Sequence, residues 1–166
     1  PSTITAIGQY SFRGCKRLSA FTGLEKTSIT AIPYCAFADC TLLPNVAFPS
    51  TVTSIGYDSF INCQSFTDIY IPDSVTSIAT SRYNTSQYYG PFTGCTNVTT
   101  ISVGGVGTLY YGMLETKSTV LEKLTIRGTV KTIADNCFSN EYMYYSCDLR
   151  RNSGRVNLVI EEGVEK

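Results

Sequence analysis

The chain has 166 residues, 43% of them apolar, with 13 acidic and 13 basic side chains and neither His nor Trp. That is enough apolar material for one buried core, and the zero formal charge argues against a nucleic-acid or anionic-membrane binder. Without His, the commonest general base and neutral metal ligand are missing; no apolar run approaches the roughly 18 residues that span a bilayer, and no signal-peptide or anchor pattern is seen.

In chain order, the first predicted element is a tetrapeptide with β-branched ends, Ile4-Thr5-Ala6-Ile7. It returns as Ile29-Thr30-Ala31-Ile32, Val52-Thr53-Ser54-Ile55, Val75-Thr76-Ser77-Ile78 and Val130-Lys131-Thr132-Ile133. A Phe follows its last Ile, five residues on in the regular units: Phe12, Phe37, Phe60, Phe92 (after an insertion) and Phe138. Three residues further stand Cys15, Cys40, Cys63 and Cys95, and then Leu18, Leu43, Phe66 and Val98, with Leu121 in a weaker unit. An alternating apolar pair closes each later unit: Val46/Phe48, Ile69/Ile71, Ile101/Val103, Leu124/Ile126 and Leu158/Ile160. Alternation with β-branched residues predicts short strands with one buried face. Pro49 and Pro72 stop two of them, because proline cannot continue a ladder. The Phe-x-x-Cys piece predicts a tight turn or one helical turn.

The phase runs Ile7, Ile32, Ile55, Ile78, Tyr110 and Ile133, in steps of 25, 23, 23, 32 and 23 residues. A repeat of 20 to 50 residues marks a solenoid whose units bury their apolar face only by stacking. The expected architecture is one mainly β solenoid domain over 1–166, with about six turns and insertions at 79–91 and 139–155. Pro1 falls on the phase of Pro49 and Pro72, and neither end has the polar sequence of a cap. The expectation is a fragment of a longer array, whose ends are liable to associate.

The run Phe60-Ile61-Asn62-Cys63-Gln64-Ser65-Phe66-Thr67-Asp68-Ile69-Tyr70-Ile71-Pro72-Asp73-Ser74-Val75-Thr76-Ser77-Ile78 resembles the BspA-type leucine-rich repeat. That pattern is Phe, a Gly-Cys pair, Leu-Thr-x-Ile-x-Ile-Pro and Ser-Val-Thr-x-Ile-Gly, and four consecutive units keep it in phase. The resemblance implies a right-handed leucine-rich-repeat solenoid with helical or 3-10 corners. It also implies a microbial surface or secreted protein that adheres to host proteins, extracellular matrix or other cells. It carries over no catalytic residue, binding motif or cofactor.

Seven cysteines invite a disulfide or metal reading. Cys15, Cys40, Cys63 and Cys95 share one phase, so stacking predicts a buried column of thiols that act as small hydrophobes. Their parallel side-chain vectors fit disulfide geometry poorly. Cys35, Cys137 and Cys147 stand off that column, and Cys147, inside an insertion, is the best candidate for a bridge, with Cys137 as its suggested partner. Zinc is disfavoured by the lack of a C-x-x-C pair and of His. Gly104-Gly105-Val106-Gly107 lacks the Lys-Ser/Thr of a phosphate loop and the Asp of a calcium β-roll, and reads as a flexible strand exit. No base accompanies a Ser, Thr or Cys nucleophile, so an enzyme ranks third behind recognition and a structural spacer. Asn84-Thr85-Ser86 and Asn97-Val98-Thr99 fit the glycosylation sequon.

Three irregular stretches, 79–91, 111–118 and 139–155, fall in the same part of consecutive units. Eight of the twelve tyrosines lie between 79 and 155: Tyr83, Tyr88, Tyr89, Tyr110, Tyr111, Tyr142, Tyr144 and Tyr145. Tyr with Ser, Asn and Arg is the composition of binding loops, and Ser81-Arg82-Tyr83-Asn84 and Arg150-Arg151-Asn152-Ser153 have it. The candidate ligand-binding residues are therefore Arg82, Tyr83, Tyr88, Tyr89, Tyr111, Tyr142, Tyr144, Tyr145 and Arg150, expected to hold a protein or glycan partner without cofactor. The alternative is that these tyrosines pack over a turn that has lost its Phe and Cys. The outward strand column (Ala47, Tyr70, Ser102, Thr125, Val159) is the second choice for a site.

Overall fold

The computed structural model describes residues 3–84, 87–135, 137–138 and 155–162, with backbone only for 81–84 and 87–88. Strands dominate it, and the described residues hold a single short helix, the 3-10 turn Leu24–Lys26. The tetrapeptides supply one parallel sheet, β1 (Ala31–Ile32), β2 (Ser54–Ile55) and β4 (Ser77–Ile78). Its register sets Ile32 beside Ile55 and Ile55 beside Ile78. The alternating pairs supply the second parallel sheet, from β3 (Asp68–Ile71) through β7 (Thr100–Val103) and β9 (Lys123–Ile126) to β11 (Asn157–Ile160). Ile69, Ile101, Leu124 and Leu158 form one register column across it. The predicted pairing of like positions in successive units is thus observed, and β3 ends at Ile71, immediately before Pro72.

The core is the space between these sheets and the corners. Four phenylalanines stack through it nearly face to face: Phe12 on Phe37 at 5.0 Å, Phe37 on Phe60 at 5.3 Å and Phe60 on Phe92 at 5.6 Å between ring centroids. Phe66 and Phe48 pack on Phe60 from the side. Cys40, Cys63 and Cys95 are fully buried beside the stack. Each thiol donates to the carbonyl of the Phe one unit earlier: Cys40 to Phe12 at 2.9 Å, Cys63 to Phe37 at 3.2 Å and Cys95 to Phe60 at 3.3 Å. Burial raises the Cys63 thiol above its usual range and pushes Cys95 up to about 12, so both stay protonated donors. Cys15 departs from the predicted column: it is exposed. Cys137 is a buried free thiol, and Cys147, its suggested bridge partner, lies outside the described residues.

Of the tight turn or helical turn expected after each Phe, the structure shows the tight turn and no helical or 3-10 corner there, for a backbone reason. The second residue after each Phe is left-handed: Gly14, Asp39, Asn62 and Gly94, with φ of 73°, 60°, 61° and 84°. A left-handed residue breaks the run of helical dihedrals. Amide donors then alternate in direction. Phe37 N donates to Ser59 O and Asp39 N to Ile61 O in the next unit, whereas Ala38 N and Cys40 N close local turns on Cys35 O and Phe37 O. The corner is therefore itself a ladder between units, and its backbone groups are satisfied without a helix.

Three further expectations need correction. The fifth phase residue is Leu109, not Tyr110: in the pair β8 (Thr108–Leu109) and β10 (Thr132–Ile133), Ile133 registers with Leu109, which is fully buried while Tyr110 is exposed. Val46 and Phe48 form no strand. Instead the Asn45 carboxamide reaches the next unit, accepting from Thr67 N and Asp68 N and donating to Thr67 Oγ1 and Asp68 Oδ2, all at 2.9–3.1 Å. One side chain there takes the place of a ladder rung. The Ile4–Ile7 tetrapeptide likewise joins no strand. On β11, Leu158 and Ile160 are 44% and 48% exposed, although their register partners Leu124 and Ile126 are buried; β11 is an edge strand of its sheet.

Candidate functional site

The insertion at 79–91 folds as an antiparallel hairpin, β5 (Ser81–Asn84) with β6 (Gln87–Tyr89), with Ser81 opposite Tyr89 and Arg82 opposite Tyr88. It is the one antiparallel pair among the described residues. A lone two-stranded hairpin is marginal in water and needs a surface to rest on. That surface is the 111–118 segment of the next unit. Lys117 Nζ lies 5.3 Å from the Tyr89 ring centroid, a cation–π contact. At the hairpin's exit, Gly90 packs against the backbone of Gly112 so closely that a Cβ there would overlap the Gly112 carbonyl oxygen. Gly90 stands two residues before Phe92 and Gly112 two before Leu114, so Leu114 takes the place of the lost Phe and is buried.

Of the predicted site residues, the structure sets Tyr89 and Tyr111, both half-buried, on adjoining units. Arg82, Tyr83 and Tyr88 lie on the hairpin backbone. Tyr142, Tyr144, Tyr145 and Arg150 lie outside the described residues, as does nearly all of the 139–155 insertion.

Sequence reasoning missed Glu115. It is 1% exposed, and neither carboxylate oxygen has a hydrogen-bond partner. Burial is the main cause that pushes its carboxyl up to about 8, against the opposing pull of Lys117 and of Thr93. Its position was accessible to phase reasoning once Leu109 is placed correctly. It then follows the Phe position directly, where Ala38 and Thr93 are also buried.

A second feature the sequence hid is a link across three units on the sheet side. The Arg127 guanidinium lies 4.3 Å from the ring centroid of Tyr70 and bonds Asp73 Oδ1 through Nη2 at 3.0 Å and Nε at 3.2 Å. Thr129 Oγ1 donates to the same oxygen at 2.9 Å, and Arg127 also donates to the Ile71 carbonyl. The arginine passes over Gly104, where a Cβ would overlap both Asp73 and Arg127. The glycine run read as a flexible exit is thus the clearance for this link. Gly104→Ala is expected to destabilise the chain by about 1–2 kcal/mol, the scale of a charged hydrogen bond, in urea unfolding. An unchanged midpoint would mean the link carries no weight.

The outer corner carries another aromatic file, Tyr10–Tyr34 at 5.0 Å and Tyr34–Tyr57 at 4.3 Å, with Arg13 over Tyr10. Hydrogen bonds with Tyr10 and then Cys35 raise the Tyr34 phenol above its usual range. Its rings pack against one another, edge-on in the first pair and tilted in the second, which suits a structural file better than a docking face. A pocket of about 310 Å³ beside the first unit, bordered by Ile4, Ile7, Phe12, Phe21 and Leu24, has no titratable side chain in its lining. Among the described residues no cluster of three or more Cys, Asp or Glu could hold a metal ion. The Asn97 amide of the second sequon donates to Gln64 O at 2.9 Å and so bridges two units.

Parallel strands of like sequence, a stacked Phe column and corners bonded unit to unit define a leucine-rich repeat protein. The profile of the BspA type leucine rich repeat region matches six copies over residues 5–145, and the chain belongs to that family. Among solved structures it is similar to a leucine-rich repeat protein from Bacteroides ovatus, with 24% identity and a TM-score of 0.59 over 81% of this chain. It spans 36% of the length of that protein. It is also similar to the leucine rich repeat protein of T. pallidum, with 18% identity and a TM-score of 0.51 over 100% of this chain and 85% of that one. These likenesses show the fold alone. No curated protein gives a significant match. Leucine-rich repeat proteins are generally protein-interaction modules and typically non-enzymatic, and BspA-type members are often surface-associated. No helix among the described residues is long and apolar enough to cross a membrane.

Proposed function

We propose that this chain is an adhesion or recognition module of a cell-surface or secreted protein, and that it grips a protein partner through its irregular units. The observation that supports this most is the hairpin β5–β6 resting on the 111–118 segment through Tyr89 and Lys117. The regular units use their conserved-phase side chains for stacking. Here the chain adds Tyr, Arg and Ser beyond what stacking needs, in the composition that suits contact with a partner. Arg82, Tyr83, Tyr88, Tyr89 and Tyr111 are the proposed contact residues, and Tyr142, Tyr144, Tyr145 and Arg150 would extend the same surface. A right-handed coil of about six 23-residue turns fits this reading, because parallel crossover connections are right-handed in nearly all sheets.

Replacing Tyr83 and Tyr88 together by Ser, with Tyr89 kept because Lys117 clasps its ring, separates contact from packing. The expected result is an unchanged melting temperature, within about 2 °C, the shift that a few tenths of a kcal/mol gives in a chain of this size. A fall of about 5 °C or more would mean these rings patch the core. A glycan partner, or a spacer role with no partner at all, would show as binding that is confined to a glycan array or absent from both glycan and protein arrays.

A further inference from the structure

Glu115 is a buried carboxyl with neither oxygen hydrogen-bonded. A buried carboxyl with no partner is costly, and natural cores place one where its change of state is used. Three local features make a use plausible in physical terms. It lies one residue beyond Leu114, the smaller side chain that stands where the regular units have Phe, and both are buried. The segment that carries it is bounded by two left-handed residues, Gly112 at φ 83° and Lys117 at φ 59°, which interrupt regular structure on both sides. Lys117, the charged group that acts on it, holds its ammonium over the Tyr89 ring. From the unit on the other side it meets Thr93, whose hydroxyl is committed to Gly90 N and Gly90 O. Thr93 and Gly90 belong to the strand exit of the hairpin. Glu115 N donates to Gly112 O, Gly112 packs against Gly90 at the hairpin's exit, and Lys117 two residues on clasps the hairpin's last ring, so the carboxyl sits between the segment's two holds on the hairpin.

We propose that Glu115 is a protonation-controlled latch: neutral and buried it keeps the 111–118 segment closed against the hairpin, and on ionising it turns out to water and releases Tyr89 from Lys117. The proton leaves the carboxyl for solvent, and no other group changes state. Ionised, Glu115 cannot remain in an apolar site without a partner, and the nearest charge that could follow it outward is Lys117. The inference concerns the chain's own opening and holds whether or not the hairpin binds a partner.

Backbone amide exchange of the whole chain, read by mass spectrometry at pH 6 and pH 9 and corrected for the intrinsic pH dependence of exchange, tests it. Peptides covering 87–93 and 111–118 are expected to lose at least tenfold more protection at pH 9 than those covering 68–71 and 100–103, which follow only the fall in global stability. Glu115→Gln is expected to keep the same protection at both pH values. An identical pH response in wild type and Glu115→Gln, or a loss spread evenly over all strands, would overturn the proposal. If the Gln variant does not fold, Lys117→Met serves in its place. It removes the charge that favours ionised Glu115, so the loosening is expected to move to higher pH; a transition that stays or moves lower overturns the latch.

Discussion

Phe60→Ala is expected to cost about 3–5 kcal/mol in denaturant unfolding, the usual loss for a buried Phe truncated to Ala. Phe60 is fully buried at the centre of the stack, with Phe37 and Phe92 on its two faces and Phe66 and Phe48 at its edges. Its carbonyl accepts from Cys63 N and from the Cys95 thiol, and its amide donates to Pro91 O. Ser59 O and Ile61 O, on either side, accept from Phe37 N and Asp39 N of the preceding unit, so the backbone is pinned to both neighbours and relaxes only partly into the cavity. Tyr57→Ala, three residues earlier and partly exposed, is expected to cost far less. A loss below about 1 kcal/mol for Phe60→Ala would mean that the Phe column is not the core.

The second large effect is on pH. Glu115 carries a carboxyl raised from 4.5 to about 8 in the folded chain, chiefly by burial. The folded chain then holds a proton that the unfolded chain gives up, so stability is complete below about pH 4.5 and declines as pH rises towards 8. The full shift corresponds to a few kcal/mol, on the order of 1.4 kcal/mol for each unit. Glu115→Gln is expected to match wild type near pH 4.5 and to exceed it in stability at pH 8.5. Urea midpoints across that range check this, and parallel pH profiles for the two proteins would contradict it.

The stacked units were legible because their signal is repetition: each Ile, Phe and Cys is re-read several times, so the register of Ile32, Ile55 and Ile78 follows from phase alone. The phase slipped by one residue at Leu109 because that unit lacks both Phe and Cys and runs 24 residues from Leu109 to Ile133, so counting back from Ile133 by the regular 23 lands on Tyr110. The corners stayed open between a tight turn and a helical one because Phe-x-x-Cys fits both spacings, and Asp39 and Asn62 adopt left-handed dihedrals that their residue types permit but do not announce. The Arg127–Asp73 link joins residues 54 apart and could not be found locally. The irregular units were legible as exceptions to the repeat. Their mutual contact, Tyr89 with Lys117, was not, since a lysine in a Thr-Ser run carries no sign of its partner. Burial of Glu115 was hidden by the same slip of phase.

The most direct measurement is binding to a protein array by the wild-type chain and by a variant with Tyr83 and Tyr88 both replaced by Ser, which leaves the Tyr89–Lys117 contact in place. The account predicts that the wild type binds a protein and that the variant loses at least tenfold in affinity while keeping its melting temperature. Equal binding by the two proteins would place the contact surface elsewhere and contradict the reading of the irregular units.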